Sequence, residues 1–390
     1  MPEPAENPAA FKHAYDEAAV RRIAATLAAH VEAFDADRFL AAVLPAVLEL
    51  ELKARVDLLA EALHAHLPLP FPEAVAALLP ALGPPGAPSG GDDLWGPSDN
   101  GGPGLTSFGV WPLTRFVALH GLDHPGAALD ALEQMTRRST AEFALRPYLL
   151  KHREFTLTRL REWVKSPDQH LRRAACEATR PRLPWGMQLK PFIADPEPVI
   201  ALITPLRADP EDYVQRSVGN NLNDIAKDHP QRLLGVARAW SAEPHGVATD
   251  KILRRALRSL VKEGVPEALR LMGYTVPAQV RIEDARLSRP TVTLGQTQEL
   301  SFVLVSTGTT PQELLADYVL HLSRARGRVG EKVFKGRPLT LAPGERKPVT
   351  FRLSMRSVTT RRYYAGPHAL QIQLCGERGL RLPFDLEIPD

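Results

Sequence analysis

The sequence predicts a multidomain chain: an all-α HEAT-like repeat solenoid followed by a C-terminal all-β Ig-like sandwich. Three observations carry this. Apolar residues recur at helical spacing up to about Tyr274, whereas from 280 to 390 they alternate in short runs. A degenerate repeat runs through the helical part: the stretch Ser166–Ala175 matches Asp209–Val218 and sets Arg173 on Arg216, an offset of 43. Further steps reach Arg255, offset 39, and backwards Arg138, offset 35, spacings that suit two-helix repeats. Finally, 390 residues exceed what one core of about 150 residues organises.

The elements follow in order. Residues 14–80 contain AAVRRIAATLAAHVEAF, FLAAVLPAVLELEL and ARVDLLAEALHAHL, all with apolar positions three and four apart. Residues 83–104, GPPGAPSGGDDLWGPSDNGGPG, hold neither helix nor strand and read as a flexible surface loop. From Trp111 to Tyr274 the helical period resumes, punctuated by Asp-Pro steps; proline suits the first helical turn, which has no use for its N–H. The helical domain is expected to occupy 1–276. Over 280–390, VRIEDARL, TVTLG, QELSFVLVST, ADYVLHLSRA, EKVFKG, KPVTFRLSM, HALQIQLCG and RLPFDLEI read as eight strands divided by Gly and Pro-Gly turns.

Composition narrows the function. No run of 18 apolar residues crosses a membrane, and the acidic start lacks the pattern of a secretion signal, so a cytoplasmic protein is expected. Cys176 and Cys375 are the only cysteines, too few for a disulfide scaffold or a cysteine-built zinc site. P-loop, His-Glu-x-x-His and Gly-x-Ser-x-Gly motifs are absent; no metal and no nucleotide cofactor is expected. The net charge of +3 conceals −9 over residues 1–110 and +12 over the rest, the sorting of a chain whose basic part faces a polyanion.

Between 137 and 182 twelve Lys/Arg face five acids. Two of those acids, Glu142 and Glu177, each follow a repeat arginine (Arg138, Arg173) by four residues, which puts them at equivalent helix positions facing one side. The next repeat has Asn220 there and Asp224 one turn further. An isolated Arg–Glu pair at that spacing is explained by intrahelical pairing alone. Recurrence inside a basic stretch points instead to a cationic target, because carboxylates repel a phosphate backbone but stabilise a cationic base and the oxocarbenium-like state of its loss. Trp185, in a proline-stiffened loop, is either a core residue or, as the flanking Arg180 and Arg182 favour, a surface aromatic placed to meet such a base. Arg138, Arg172, Arg173, Arg180, Arg182, Arg216 and Arg255 suit phosphate contacts.

Three stretches resemble the AlkC/AlkD superfamily of HEAT-like-repeat DNA alkylation-repair glycosylases, and within it the AlkC branch. They are Ser139–Tyr148, Arg172-Arg173 through Glu177 to Gly186, and Arg216-Ser217-Val218 through Asn220 to Pro230. The tail, with Asp317-Tyr318, Lys332-Val333-Phe334-Lys335 and Gly366-Pro367-His368, is similar to the Ig-like domain of one AlkC subgroup. The resemblance implies a monofunctional glycosylase that removes cationic N3-alkylated purines, chiefly 3-methyladenine, from duplex DNA without swinging the base into a pocket. It implies Glu142, Glu177 and Asp224 as active-site acids, Trp185 as the lesion-side aromatic, and Lys332 and Lys335 as DNA contacts of the Ig-like domain. The alternative is a non-catalytic HEAT-repeat DNA-binding or scaffold protein, which gains nothing from acids in a basic groove.

Overall fold

The computed structural model describes residues 11–86, 103–325, 328–357 and 362–389. Most of the expected 83–104 loop lies outside them. The described ends of that loop meet: Leu82 bridges Leu105, and the Gly83 N–H donates to the Leu105 carbonyl at 2.9 Å.

Sixteen helices are described: α1 (Glu17–His30), α2 (Ala36–Val47), α3 (Leu52–His66), α4 (Phe71–Leu78), α5 (Trp111–His120), α6 (Pro125–Thr136), α7 (Glu142–Lys151), α8 (Arg153–Trp163), α9 (Gln169–Ala178), α10 (Lys190–Ala194), α11 (Glu197–Ile203), α12 (Asp212–Ala226), α13 (Pro230–Ala242), α14 (Val247–Ala256), α15 (Arg258–Glu263) and α16 (Pro266–Leu271). Local chemistry sets their starts. Asp16, Asp35 and Asp168 cap α1, α2 and α9 by accepting backbone N–H bonds at 2.7, 3.0 and 2.8 Å. Proline stands in the first turn of α4, α5, α6, α10, α11 and α16.

Alternate helices stack in a row, α3 on α5, α5 on α7, α7 on α9, α9 on α12 and α12 on α14, with α6 and α8 flanking that row. This is the repeat read from the arginines, with one correction. Arg173, Arg216 and Arg255 do fall on successive row helices (α9, α12, α14), but Arg138 lies ahead of α7. Glu142 therefore opens its helix while Glu177 nearly closes one, and the two are not equivalent positions. Gly219 sits where α12 approaches α14: a Cβ there would lie 2.7 Å from the Cβ of Arg255, so close packing explains a residue that otherwise weakens a helix.

Eight strands follow: β1 (Val280–Leu287), β2 (Thr291–Thr293), β3 (Thr297–Ser306), β4 (Gln312–Ser323), β5 (Val329–Leu341), β6 (Arg346–Ser354), β7 (Gly366–Leu374) and β8 (Glu377–Glu387). They form a three-stranded sheet, β1-β3-β6, and a five-stranded sheet, β2-β8-β7-β4-β5, antiparallel except for β2 against β8. Leu300, Phe302, Leu304, Leu314, Leu320, Leu370, Ile372 and Phe384 bury their alternating faces in the sandwich core.

The chain forms two compact units, and the helical period outlasts the first. One unit runs to His229 and resumes over Pro244–Ala256; the other takes Pro230–Glu243 and everything from Leu257. Within the second, α13 packs on α16, and Leu269 is buried in the sandwich core with Val261 and Tyr274 against it. Gly264 and Gly376, both at positive φ, come so close that a Cβ on Gly264 would lie 2.5 Å from the Gly376 Cα.

Candidate active site

The loop that follows α9 is the centre of the site, and a buried arginine builds it. Arg146, on α7, is fully buried and spends its donors on that loop. Nη1 donates to the carbonyls of Ala178 (2.8 Å) and Arg180 (2.9 Å), and Nε and Nη2 donate to that of Met187. Burial, with the charge of Arg180, lowers its pKa to about 10, which leaves it cationic at neutral pH. Lys53 donates to the Trp185 carbonyl. Pinned at both ends, the loop holds Trp185 with φ at +63°, a region disfavoured for a bulky side chain, and leaves it 60% exposed. The ring meets only the exposed Phe11 edge-on, centroids 6.2 Å apart, among its described aromatic neighbours. The tryptophan is not core.

The three acids converge here, although not as their spacing implied. Glu142, Glu177 and Asp224 are all buried, and the charge of each acts on Arg146. Neither intrahelical pair that the spacing would allow, Arg138–Glu142 or Arg173–Glu177, forms. Instead Arg173 reaches back one repeat: its Nη1 donates to Glu142 Oε2 at 3.1 Å and to Thr140 Oγ1 at 2.6 Å, and its guanidinium lies 5.3 Å from the Tyr213 ring. Arg180, just past the end of α9, joins the other two acids, with Nη1 on Glu177 Oε2 at 3.0 Å and Nε on Asp224 Oδ2 at 2.8 Å. Lys227 closes the row on Asp224 Oδ1 at 2.8 Å. Burial, helped by the charge of Glu177 and opposed by Arg173, raises the pKa of Glu142. Burial works against the charge of Arg173, but Glu142 and Glu177 outweigh it and raise its pKa.

The arginines divide into kinds that sequence spacing does not separate. Arg172 is a correction. It is buried, bonded to Asp209 through Nε (2.6 Å) and Nη2 (3.1 Å) and to the Ser166 and Pro167 carbonyls through Nη1, which makes it a strut of the α9–α12 contact with little left for a phosphate. Arg180 and Arg173 are likewise largely buried and serve the acids. Arg138 donates to the carbonyls of Gly83 and Gln134, at 2.8 and 2.9 Å. Arg182 is partly exposed and grips Asp228 with two bonds, 2.8 and 2.7 Å. Arg216 is partly exposed 3.9 Å from Asp212, and Arg255 is exposed on α14. In the β unit Lys332 and Lys335 are both exposed; Lys332 lines a surface cleft of about 530 Å³ with Arg324, Arg328, Arg362 and Tyr364, and Lys335 stands outside it.

Sequence reasoning missed Arg146, Lys227 and Asp228. Arg146 lies one turn after Glu142 on α7, and Asp228 four residues after Asp224, so helical spacing from the acids was the available signal.

Among the described residues no helix is long and apolar enough to cross a membrane, and no group of three His, Cys, Asp or Glu is arranged to hold a metal. Residues 134–245 match the family model of DNA alkylation repair enzymes, and residues 281–388 match that of the YhaZ C-terminal Ig-like domain. The uncharacterized protein YhaZ of Bacillus subtilis is 37% identical over 263 residues, 67% of this chain and 72% of that protein. The structure of Pseudomonas fluorescens alkylpurine DNA glycosylase AlkC, bound to DNA containing an abasic site analog, superposes with a TM-score of 0.86 at 34% identity. That match covers 97% of this chain and 99% of AlkC.

Proposed function

The chain belongs to the AlkC-type family of DNA alkylation-repair glycosylases with a C-terminal Ig-like domain, and from that premise we propose that it hydrolyses the N-glycosidic bond of cationic N3-alkylated purines, chiefly 3-methyladenine, in duplex DNA. The observation that carries the proposal is the gathering of Glu142, Glu177 and Asp224 around Arg146 and Arg180, beside a tryptophan held exposed at positive φ.

Cleavage of an N-glycosidic bond to a cationic purine needs no general acid, because the leaving base departs neutral. What the protein supplies is negative charge for the oxocarbenium-like sugar, a site for the attacking water, and a surface for the base. Asp224 is the residue for the sugar cation and the water, since it ends the acid row. Glu142 and Glu177 add field from buried positions, where it is poorly screened. Trp185 offers its ring face to the cationic base. Arg173 and Arg180 hold the acids, while Arg182, Arg216 and Arg255, with Lys332 and Lys335 of the β unit, bear on the phosphate backbone of the duplex.

The test is release of free base from methylated duplex DNA by the purified protein, resolved by chromatography. 3-Methyladenine is expected in excess over 7-methylguanine. Duplex binding with no base release would leave the scaffold reading standing.

A further inference from the structure

Asp224 carries two ion pairs of unequal kind. Arg180, on Oδ2, is buried and tied to Glu177 as well, so it does not leave. Lys227, on Oδ1, has a side chain 48% exposed, whereas that of Asp224 is 2% exposed. It caps the C-terminus of α12, and an ammonium on a flexible stem is a hydrated point charge that changes partner easily. Its other near acid is occupied, because both oxygens of Asp228 accept from Arg182.

That ammonium conflicts with the work assigned to Asp224. A positive charge 2.8 Å from Oδ1 repels a cationic purine and an oxocarbenium-like sugar alike. A docked duplex brings the competitor that resolves the conflict, a row of phosphates that attract an exposed lysine. We propose that Lys227 is a phosphate-binding residue that masks Asp224 in the free protein and uncovers it when its ammonium passes to a phosphate of the docked duplex. The proposal rests on the glycosylase reading above and adds to it a coupling between docking and chemistry.

Two measurements on the full-length protein test it: affinity for an undamaged duplex across a salt series, and single-turnover base release from a methylated duplex at saturating enzyme. Lys227→Gln should flatten the slope of log K against log salt by about one unit, and Lys227→Arg should restore it. The saturating release rate of Lys227→Gln should rise by up to a few-fold, by the share of docked complexes in which the wild-type ammonium still rests on the acid. An unchanged salt slope overturns the proposal. So does a saturating rate that falls tenfold or more, which would mean that Lys227 works beside Asp224 within the complex. A wild-type protein that binds duplex and releases no base sinks the glycosylase reading instead, and the salt slope still reports on Lys227.

Discussion

The two ends of the α9–α12 contact use the same chemistry differently. At the end where both helices begin, Arg172 and Asp209 form a closed two-bond pair, and backbone carbonyls take further donors of the guanidinium. Near the end where they finish, Arg180 is divided between Glu177 and Asp224, and the second oxygen of Asp224 is held by a lysine open to water. A closed pair has nothing left to offer a ligand and serves the fold. A shared arginine gives neither carboxylate its full set of donors, and such a carboxylate can serve a site. Burial alone does not separate the two.

The strongest way to break this comparison is at the closed end. Arg172→Met should cost about 3–5 kcal/mol of unfolding free energy, because it leaves Asp209 buried without its cation. Urea denaturation measures this, and a loss below 1 kcal/mol would remove the strut role. At the shared end the effect should fall on chemistry. Asp224→Asn should slow base release by about 10²–10³-fold, the usual scale for one lost electrostatic stabiliser, with duplex affinity held within a few-fold. Wild-type-like release would take Asp224 out of the reaction.

Trp185→Gly sharpens the comparison between stability and function at one residue. Glycine is at ease at φ +63° and the ring is exposed, so thermal stability should hold, while release should slow about tenfold through loss of 1–2 kcal/mol of cation–π attraction. Unaltered release would dismiss the ring as the base's platform.

The acid row also predicts a pH limb. Burial raises the pKa of Glu142, so on acidification it takes up its proton at a higher pH than an ordinary carboxyl. As the pH falls through that raised value, the negative charge is lost and single-turnover release should drop; Glu142→Gln should be slower throughout and lack the limb. The same shift opposes stability in the other direction, since the folded state binds the proton more tightly and loses ground as the pH rises through the window above the normal glutamate value. The smallest effect belongs to Arg182→Ala, which should flatten the salt slope by about one unit and weaken all duplexes alike. A slope equal to wild type would confine Arg182 to its pair with Asp228.

Much of the architecture was legible because its causes are local. Eight alternating runs became eight strands, the Asp and Pro punctuation fell at helix starts, and Arg173, Arg216 and Arg255 marked three stacked helices. The three acids and the tryptophan were legible as motif residues. Their pairing was not. Spacing allowed Arg138 to pair with Glu142 and Arg173 with Glu177, each within one helix, and the chain instead pairs Arg173 with a glutamate 31 residues back and Arg180 with an aspartate 44 residues on.

The sequence by itself determined element type, element order and the residues available for chemistry, since hydrophobic period, capping and turn propensity act over a few neighbouring residues. Tertiary structure decided which arginines hold the fold and which hold the acids. It also decided that α13, α15 and α16 belong to the unit of the strands and that Trp185 stands out from the surface. Those outcomes depend on how stacked helices rotate against one another and on how much water remains around each charge, and neither is encoded within one helical turn.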